Sequence, residues 1–251
     1  MPILRRPLPV LTAGLACALL LGACSGGNGS TAGSSSSSPA SSEASPSPSE
    51  TTEAGAASPL QPGLLPAEAF GEGATVVPLS RDQLEQGAGL AADPESLTIT
   101  PESCAAAVEG TQPRIDDYDE VAAVSATTGG TTTAEVLLQG EATAGAVDAL
   151  AEAPTNCPEA TLSSPELGEA KVTFEALEVP DLGDGAAAVR YTTTLTQGGQ
   201  EVSIPTLVGV VQDGDRAITL LTIATDGSQP DAVAFASLLE QAFEVQAEAL
   251  G

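Results

Sequence analysis

Residues 189–225, VRYTTTLTQGGQEVSIPTLVGVVQDGDRAITLLTIAT, decide the fold. Three runs in this stretch alternate between apolar and polar residues, and the breaks between them are Gly198-Gly199 and the DGDR sequence at 213–216. A period of two with one apolar face is typical of half-buried antiparallel strands. Gly-Gly and Asp-Gly pairs between such runs are typical of hairpin turns. The stretch therefore predicts three antiparallel strands joined by two hairpins.

Flanking segments extend this sheet and add helices. Residues 171–179 (KVTFEALEV) alternate in the same way, and YDEVAAVSAT (118–127) and TTTAEVLLQ (131–139) flank another Gly-Gly turn. Near the C-terminus an apolar stripe recurs at helical spacing, which predicts an amphipathic helix packed on the sheet. The stripe consists of Phe235, Leu238, Leu239, Ala242 and Phe243. We predict an α+β domain with two layers: a twisted antiparallel sheet of about six strands with helices packed on one face.

The N-terminus has the pattern of an export signal. Arg5 and Arg6 precede an apolar run from residue 8 to residue 21, and this run is shorter than the roughly 20 residues that a spanning helix needs. A charged start, a short apolar region and small residues before a cleavage point predict a secretory signal peptide over residues 1–23. The ending LGAC (21–24) resembles the bacterial lipobox, and this resemblance implies that Cys24 becomes the first mature residue and carries lipid. The alternative is a plain signal peptide with an incidental cysteine.

Residues 24–63 are predicted to be the lipidated cysteine followed by a disordered linker. The centre of this segment, SSSSSPASSEASPSPSE (34–50), contains too little apolar surface to offset the entropy lost on folding. Such a tract is either a simple spacer or an O-glycosylated one. The folded domain is then expected over residues 64–251, long enough for one hydrophobic core.

Charge limits the possible partners. The chain has seven basic and 34 acidic residues, and loss of the signal peptide leaves five basic against 34 acidic, a net charge of −29. Such a field repels nucleic acid and anionic lipid, so we expect no nucleic-acid binding and contact with the membrane through the covalent lipid alone. The expected location is the extracytoplasmic face of the cell membrane.

Two cysteines, Cys104 and Cys157, lie in the predicted domain. An even number of cysteines in an exported domain predicts a disulfide. A zinc site does not fit, because the chain has no histidine and these two thiols are too few ligands. The wide spacing also differs from a redox C-x-x-C motif.

The order of motifs resembles a known family. TPESC (100–104), Tyr118, a hairpin, a small-residue helix and Cys157 are followed by LGDGAAAVRYTT (182–193) and a closing amphipathic helix. Over residues 64–250 this order resembles the PknH-like sensor domain, found outside the membrane in a mycobacterial kinase and in actinobacterial secreted proteins and lipoproteins. The resemblance implies a twisted antiparallel sheet with helices beside a cleft, stapled by disulfides at the positions carried here by Cys104 and Cys157. The resemblance also implies a function in sensing or binding, but it does not identify a ligand. This chain has one cysteine pair where the kinase domain has two, and it lacks tryptophan. The PsbP-like lipoprotein fold is the alternative.

The sequence contains no arrangement typical of catalysis. Without histidine there is no Ser-His-Asp or Cys-His arrangement, and paired carboxylates are the one remaining route to hydrolysis. We therefore predict that the protein is not an enzyme and uses no metal or other cofactor. The acidic cluster DDYDE (116–120) is interpreted as a solvated loop, with Ca²⁺ binding as the alternative.

Four residues are the predicted ligand contacts: Arg114, Tyr118, Arg190 and Tyr191. Either arginine could pair with an anionic ligand or simply neutralise neighbouring acids. The threonine-rich strand faces could line a groove or lie open to water. Two functions follow: binding or sensing of a small ligand, which requires a cleft with a few convergent polar groups, or docking to another cell-envelope protein, which requires an exposed apolar patch and no pocket.

Overall fold

The computed structural model describes residues 58–88, 97–109, 111, 114–164, 168–224 and 226–251. The predicted signal peptide, Cys24 and the linker up to residue 57 lie outside these ranges. Ser58 to Gly63 were predicted to belong to the linker, but Leu60 and Gly63 are buried, so the packed domain begins before residue 64. No helix in the described part is long and apolar enough to cross a membrane.

The nine strands of the described residues form one antiparallel sheet, in the spatial order β1-β3-β4-β9-β8-β7-β6-β5-β2. The strands are β1 (Thr75–Leu79), β2 (Thr98–Thr100), β3 (Glu120–Thr128), β4 (Thr131–Gln139), β5 (Glu159–Ser164), β6 (Gly168–Leu177), β7 (Gly185–Gln197), β8 (Gln200–Asp213) and β9 (Arg216–Ala224). The prediction of about six strands was wrong. Short strands such as β2 and β5 carry little alternation of their own and gain stability only by pairing with neighbours, Ile99 opposite Leu162 for example.

The three strands predicted from residues 189–225 are confirmed as β7, β8 and β9. Their registers place Gln197 opposite Gln200 in the first hairpin and Asp213 opposite Arg216 in the second. β8 pairs with β9 only from Thr206 to Asp213, whereas it pairs with β7 along its whole length. The β7–β8 hairpin therefore projects beyond the end of β9.

The helices are α1 (Arg81–Ala88), α2 (Ala105–Glu109), α3 (Ala146–Asn156) and α4 (Ala232–Leu250). The prediction that they pack on one face of a two-layer domain was wrong. On β8, Leu207 and Val211 belong to the core beneath α4, whereas Val208 and Val210 belong to the core beneath α3. Because successive side chains of a strand point to opposite faces, α3 and α4 cover the two sides of the same sheet.

The α4 side of the sheet carries the closing helix. Asp231 accepts hydrogen bonds from the backbone N–H groups of Val233 and Ala234 and so caps the helix. Phe235 and Leu239 pack directly over Gly209, where an added Cβ would lie 2.9 Å from the Leu239 side chain. This close approach explains why β8 carries a glycine in the middle of an apolar run.

Residues 58–70, here called the strap, cross the same side of the sheet. Two short 3₁₀ helices, Gln61–Gly63 and Ala67–Phe70, form most of it. Its side chains enter the core beneath α4 at Leu60, Leu64, Leu65 and Phe70. The strap is thus fixed mainly by apolar burial, with few backbone hydrogen bonds of longer range.

The predicted disulfide is confirmed. Cys104, at the end of the 3₁₀ helix Glu102–Cys104, is bonded to Cys157, which follows α3, and their Cα atoms are 5.1 Å apart. Both residues are buried in the core beneath α3, beside Leu150 and Phe174. The bond attaches the Glu102–Cys104 segment and α2 to the C-terminus of α3.

Candidate functional site

The structure separates Arg190 from Tyr191, its neighbour on β7. Arg190 lies on the α4 side of the sheet, where its Nη1 atom is 2.6 Å from Oε2 of Glu175 on β6. Tyr191 lies on the α3 side, packed against Phe174 with ring centroids 6.3 Å apart, and burial raises the pKa of its hydroxyl. These two residues cannot contact one ligand from the same face.

Arg114 and Tyr118 lie on another part of the fold. Arg114 is largely exposed and forms an ion pair of 3.0 Å with Asp117. The backbone carbonyl oxygen of Tyr118 accepts a hydrogen bond of 2.7 Å from Arg81. The pKa of the Tyr118 hydroxyl is raised, mainly by burial and secondly by the negative charge of Asp117. Tyr118 precedes β3, which lies four strand positions from β7, or about 19 Å at the usual strand spacing. The four predicted contacts are therefore not brought together.

Threonine and serine side chains form an open surface on the α4 side of β5 to β8, here called the threonine face. It is defined by Thr161, Lys171, Thr173, Arg190, Thr192, Thr194 and Ser203. Lys171 and Ser203 are exposed and the threonines are half-buried, so the face is open to water and does not line a groove. It holds two of the five basic residues in the described part of the chain. The same side of these strands also carries Glu159, Glu169, Glu175 and Glu201, so the acids on this side outnumber the cations.

The two cations of the threonine face differ in their hydrogen bonding. Lys171 is half-exposed and pairs with Glu159, which is also exposed. Arg190 is only 16% exposed, and its Nε atom is buried without a hydrogen-bond partner in the described part of the chain. Its one carboxylate partner, Glu175, is 66% exposed. A buried guanidinium N–H without an acceptor is costly. Because the Nε atom itself is buried, a bound group could satisfy this donor only if the Arg190 side chain moved.

A shallow groove of about 370 Å³ lies at the opposite end of the α4 side. It is lined by Pro59, Leu60, Gln139, Asp215, Arg216 and Leu250. Its polar groups bind one another: Gln139 donates to Asp215 at 2.9 Å, and Arg216 donates to the Leu250 carbonyl at 2.7 Å and to Asp213 at 3.1 Å. These contacts hold the C-terminus of α4 against the β8–β9 turn and leave little for a ligand.

Comparison with known proteins finds several structural neighbours, including two mycobacterial proteins. No family model and no curated relative matches the chain. The extracellular domain of PknH from Mycobacterium tuberculosis aligns with a TM-score of 0.47 and 11% identity, covering 74% of this chain and 93% of that one. An uncharacterised Mycobacterium smegmatis protein, the Rv0999 ortholog, aligns with a TM-score of 0.44 and 14% identity, covering 73% of this chain and 90% of that one. The PknH extracellular domain, whose family the sequence is predicted to resemble, is thus among the structural neighbours of this chain.

The acidic cluster DDYDE forms part of a turn before β3. Asp116 and Asp117 lie in the 3₁₀ helix Ile115–Asp117, and Asp117 is paired with Arg114. Within the described ranges, no group of three or more aspartate, glutamate or cysteine side chains is placed to hold a metal ion. The interpretation of this cluster as a loop agrees with its place in the fold.

Glu135, a carboxylic acid that is fully buried in the core, was not identified from the sequence. Glu135 lies in the middle of β4, is 0% exposed, and belongs to the α4 side of the sheet. Its Oε2 atom accepts a hydrogen bond of 2.9 Å from the backbone N–H of Leu65 in the strap, and its Oε1 atom has no partner among the described residues. Burial raises its pKa to about 7, and the Leu65 hydrogen bond only partly opposes this effect. The sequence did contain a signal for it: the alternation of β4 places Glu135 on the same buried face as Thr133 and Leu137.

Proposed function

We propose that this protein is an extracytoplasmic lipoprotein, anchored through Cys24, whose domain binds a ligand at the Arg190 end of the threonine face. The observation that carries the proposal is the buried, unpartnered Nε of Arg190 on an open face of hydroxyl groups. Such a surface fits a ligand that offers a hydrogen-bond acceptor to the guanidinium and hydroxyl partners to the threonines. The lipobox and the disulfide support the location outside the cytoplasm.

Docking to an envelope protein through an apolar patch has less support. The exposed large aliphatic side chains of the described residues are Val77, Val202 and Val233, and they lie on β1, β8 and α4 respectively. Single exposed aliphatic residues are ordinary on soluble domains and do not form an interface.

Lipid attachment is tested by labelling cells with a fatty-acid analogue. We expect the full-length protein to carry the label and the Cys24→Ser variant to lose it, because the lipobox resemblance assigns the thioether to this sulfur. Cys17→Ser is the matched control, since Cys17 lies within the apolar run of the signal peptide and should leave with it. Label retained in Cys24→Ser, or lost in Cys17→Ser alone, would contradict the anchor.

Ligand binding is tested by native mass spectrometry of the exported mature chain, with and without Arg190→Ala. We expect an added mass on the native protein that survives desalting, disappears on denaturation and is bound at least about tenfold more weakly by the variant, because a hydrogen bond to a charged group contributes about 1.5–3 kcal/mol. Arg114→Ala is the control: it removes the same charge from an arginine that is 82% exposed on a different element.

The two variants separate a site from a general charge effect. Retained binding in Arg114→Ala with loss in Arg190→Ala supports the threonine face. Equal loss in both variants would mean that only net charge matters, and a native chain without any added mass would contradict the ligand-binding proposal itself.

A further inference from the structure

Glu135 connects the strap to the sheet, and this arrangement suggests a function that does not depend on the ligand. The carboxylate lies under the strap with one oxygen on the Leu65 N–H and the other without a partner. Its register neighbours on β3 and β9 are Val124 and Leu220, and both are buried. Among the described residues, Glu135 therefore has one hydrogen-bond donor and apolar neighbours on both adjacent strands.

We propose that the strap is a proton-controlled latch: it is closed over the sheet while Glu135 is protonated and opens when Glu135 ionises. A buried carboxylate with one hydrogen bond is strongly destabilised by loss of its hydration. Opening the strap would let water reach Glu135 and relieve this cost. Burial in such an environment raises the pKa of Glu135.

Of the elements around Glu135, the strap can move away from the sheet most easily. Glu135 itself is fixed in β4, which is paired on both sides by β3 and β9, and α4 is a helix of 19 residues. The strap has two single-turn 3₁₀ helices and is tied to the sheet by hydrogen bonds of Leu65 with Glu135 and of Ser58 with Glu120. Segments with few hydrogen bonds open locally at much lower cost than central strands.

No other charged group of the packed elements is placed to replace the proton. Within the described ranges, Glu68 and Glu72 beside the α4 face are exposed, Glu120 of β3 accepts the Ser58 hydroxyl, and Arg216 of β9 is bound by Asp213 and the Leu250 carbonyl. The acids of α4 are exposed as well: Glu240, Glu244 and Glu248. No cation is therefore paired with Glu135, and its charge state depends on the proton.

Opening of the strap would change two parts of the molecule. Pro59 and Leu60 form one wall of the groove at the C-terminus of α4, so this groove would widen. The strap also begins within the segment that the sequence assigns to the tether, residues 24–63. The latch would thus make the attachment between tether and domain sensitive to the pH outside the cell.

Hydrogen exchange on the mature chain, followed by mass spectrometry and corrected for the intrinsic pH dependence of exchange, tests the latch. We expect the protection of strap amides, including Gly63, Leu64 and Leu65, to fall about tenfold between about pH 6 and about pH 8, while α4 amides keep theirs. Glu135→Gln keeps an acceptor for Leu65 and cannot ionise, so its strap should stay protected. Glu68→Gln removes the same charge from an exposed strap position and should behave like the native chain.

Three results would overturn the latch. The first is a native strap with constant protection across this range. The second is an equal loss of protection in Glu135→Gln, which would assign the opening to another group. The third is a loss in α4 that parallels the strap, which would mean global unfolding; because α4 is measured in the same sample, a variant that fails to fold is recognised directly.

Discussion

Replacing both Cys104 and Cys157 with alanine is expected to lower the free energy of unfolding by about 4 kcal/mol. The two residues are 53 positions apart, and a closed loop of this size restricts the unfolded chain by about that amount in the chain-entropy model. The loop contains β3, β4 and α3, so the bond limits the separation of elements from both sides of the sheet. For a domain of this size, the melting temperature should fall by roughly 8–16 °C.

Denaturant unfolding of the native chain, the double variant and the native chain under reductant measures this effect. We expect the two forms without the bond to agree within about 1 kcal/mol, since alanine retains most of the small apolar volume of each cysteine. A double variant as stable as the oxidised native chain would show that the crosslink does not restrict the unfolded state. A large loss in the variant with little loss under reductant would point to packing of the sulfur atoms as the cause.

The hairpins and the closing helix could be predicted because their signals are local. The pairing of β7 with β8 and of β8 with β9 follows from the alternation of residues 189–225 and from the turns at Gly198-Gly199 and DGDR. The packed face of α4 follows from the apolar stripe between Phe235 and Phe243. The disulfide was also predictable, because an exported chain with two domain cysteines has few other uses for them. For the hairpins and the helix the evidence lies within a short stretch of sequence, and for the disulfide it lies in the number of cysteines.

The layer arrangement could not be predicted because both faces of β8 are buried. Residues 207–211 are all buried, so this run contains no alternation that shows which helix covers which side. β5 and the start of the strap were missed for a related reason: their stability comes from neighbours distant in sequence, as with Leu60 in the core beneath α4. Pro154 lies within α3, where tertiary packing outweighs the missing N–H.

The candidate site was only partly predictable. Arg190 was identified by its place on a threonine-rich strand, and the alternation of that strand already implies that Tyr191 faces the opposite side. The sequence could not show that Tyr118 lies elsewhere, because its separation depends on the strand order, which places β3 and β7 four positions apart. The role of Glu135 depends on the strap that crosses β4, a contact between residues 70 positions apart in the chain.

Replacing Glu135 with glutamine is expected to remove a pH dependence of stability worth about 3 kcal/mol. Burial raises the pKa of Glu135 from 4.5 to about 7, so the folded protein holds this proton more tightly than the unfolded chain does. The stability that the proton contributes is complete below about pH 4.5 and is lost as the pH rises through about 7. At about 1.4 kcal/mol per pH unit, the loss across this window is about 3 kcal/mol.

Urea unfolding between about pH 4.5 and about pH 8 measures this dependence, with the Glu68→Gln variant as the control for net charge. We expect native protein and Glu68→Gln to lose stability in parallel as the pH rises, because the exposed Glu68 makes no buried contact. Glu135→Gln should vary much less and should be the most stable of the three above about pH 7, where the native carboxylate is ionised. Equal slopes in all three proteins would show that Glu135 is hydrated in solution, and the same result would remove the energetic basis of the latch.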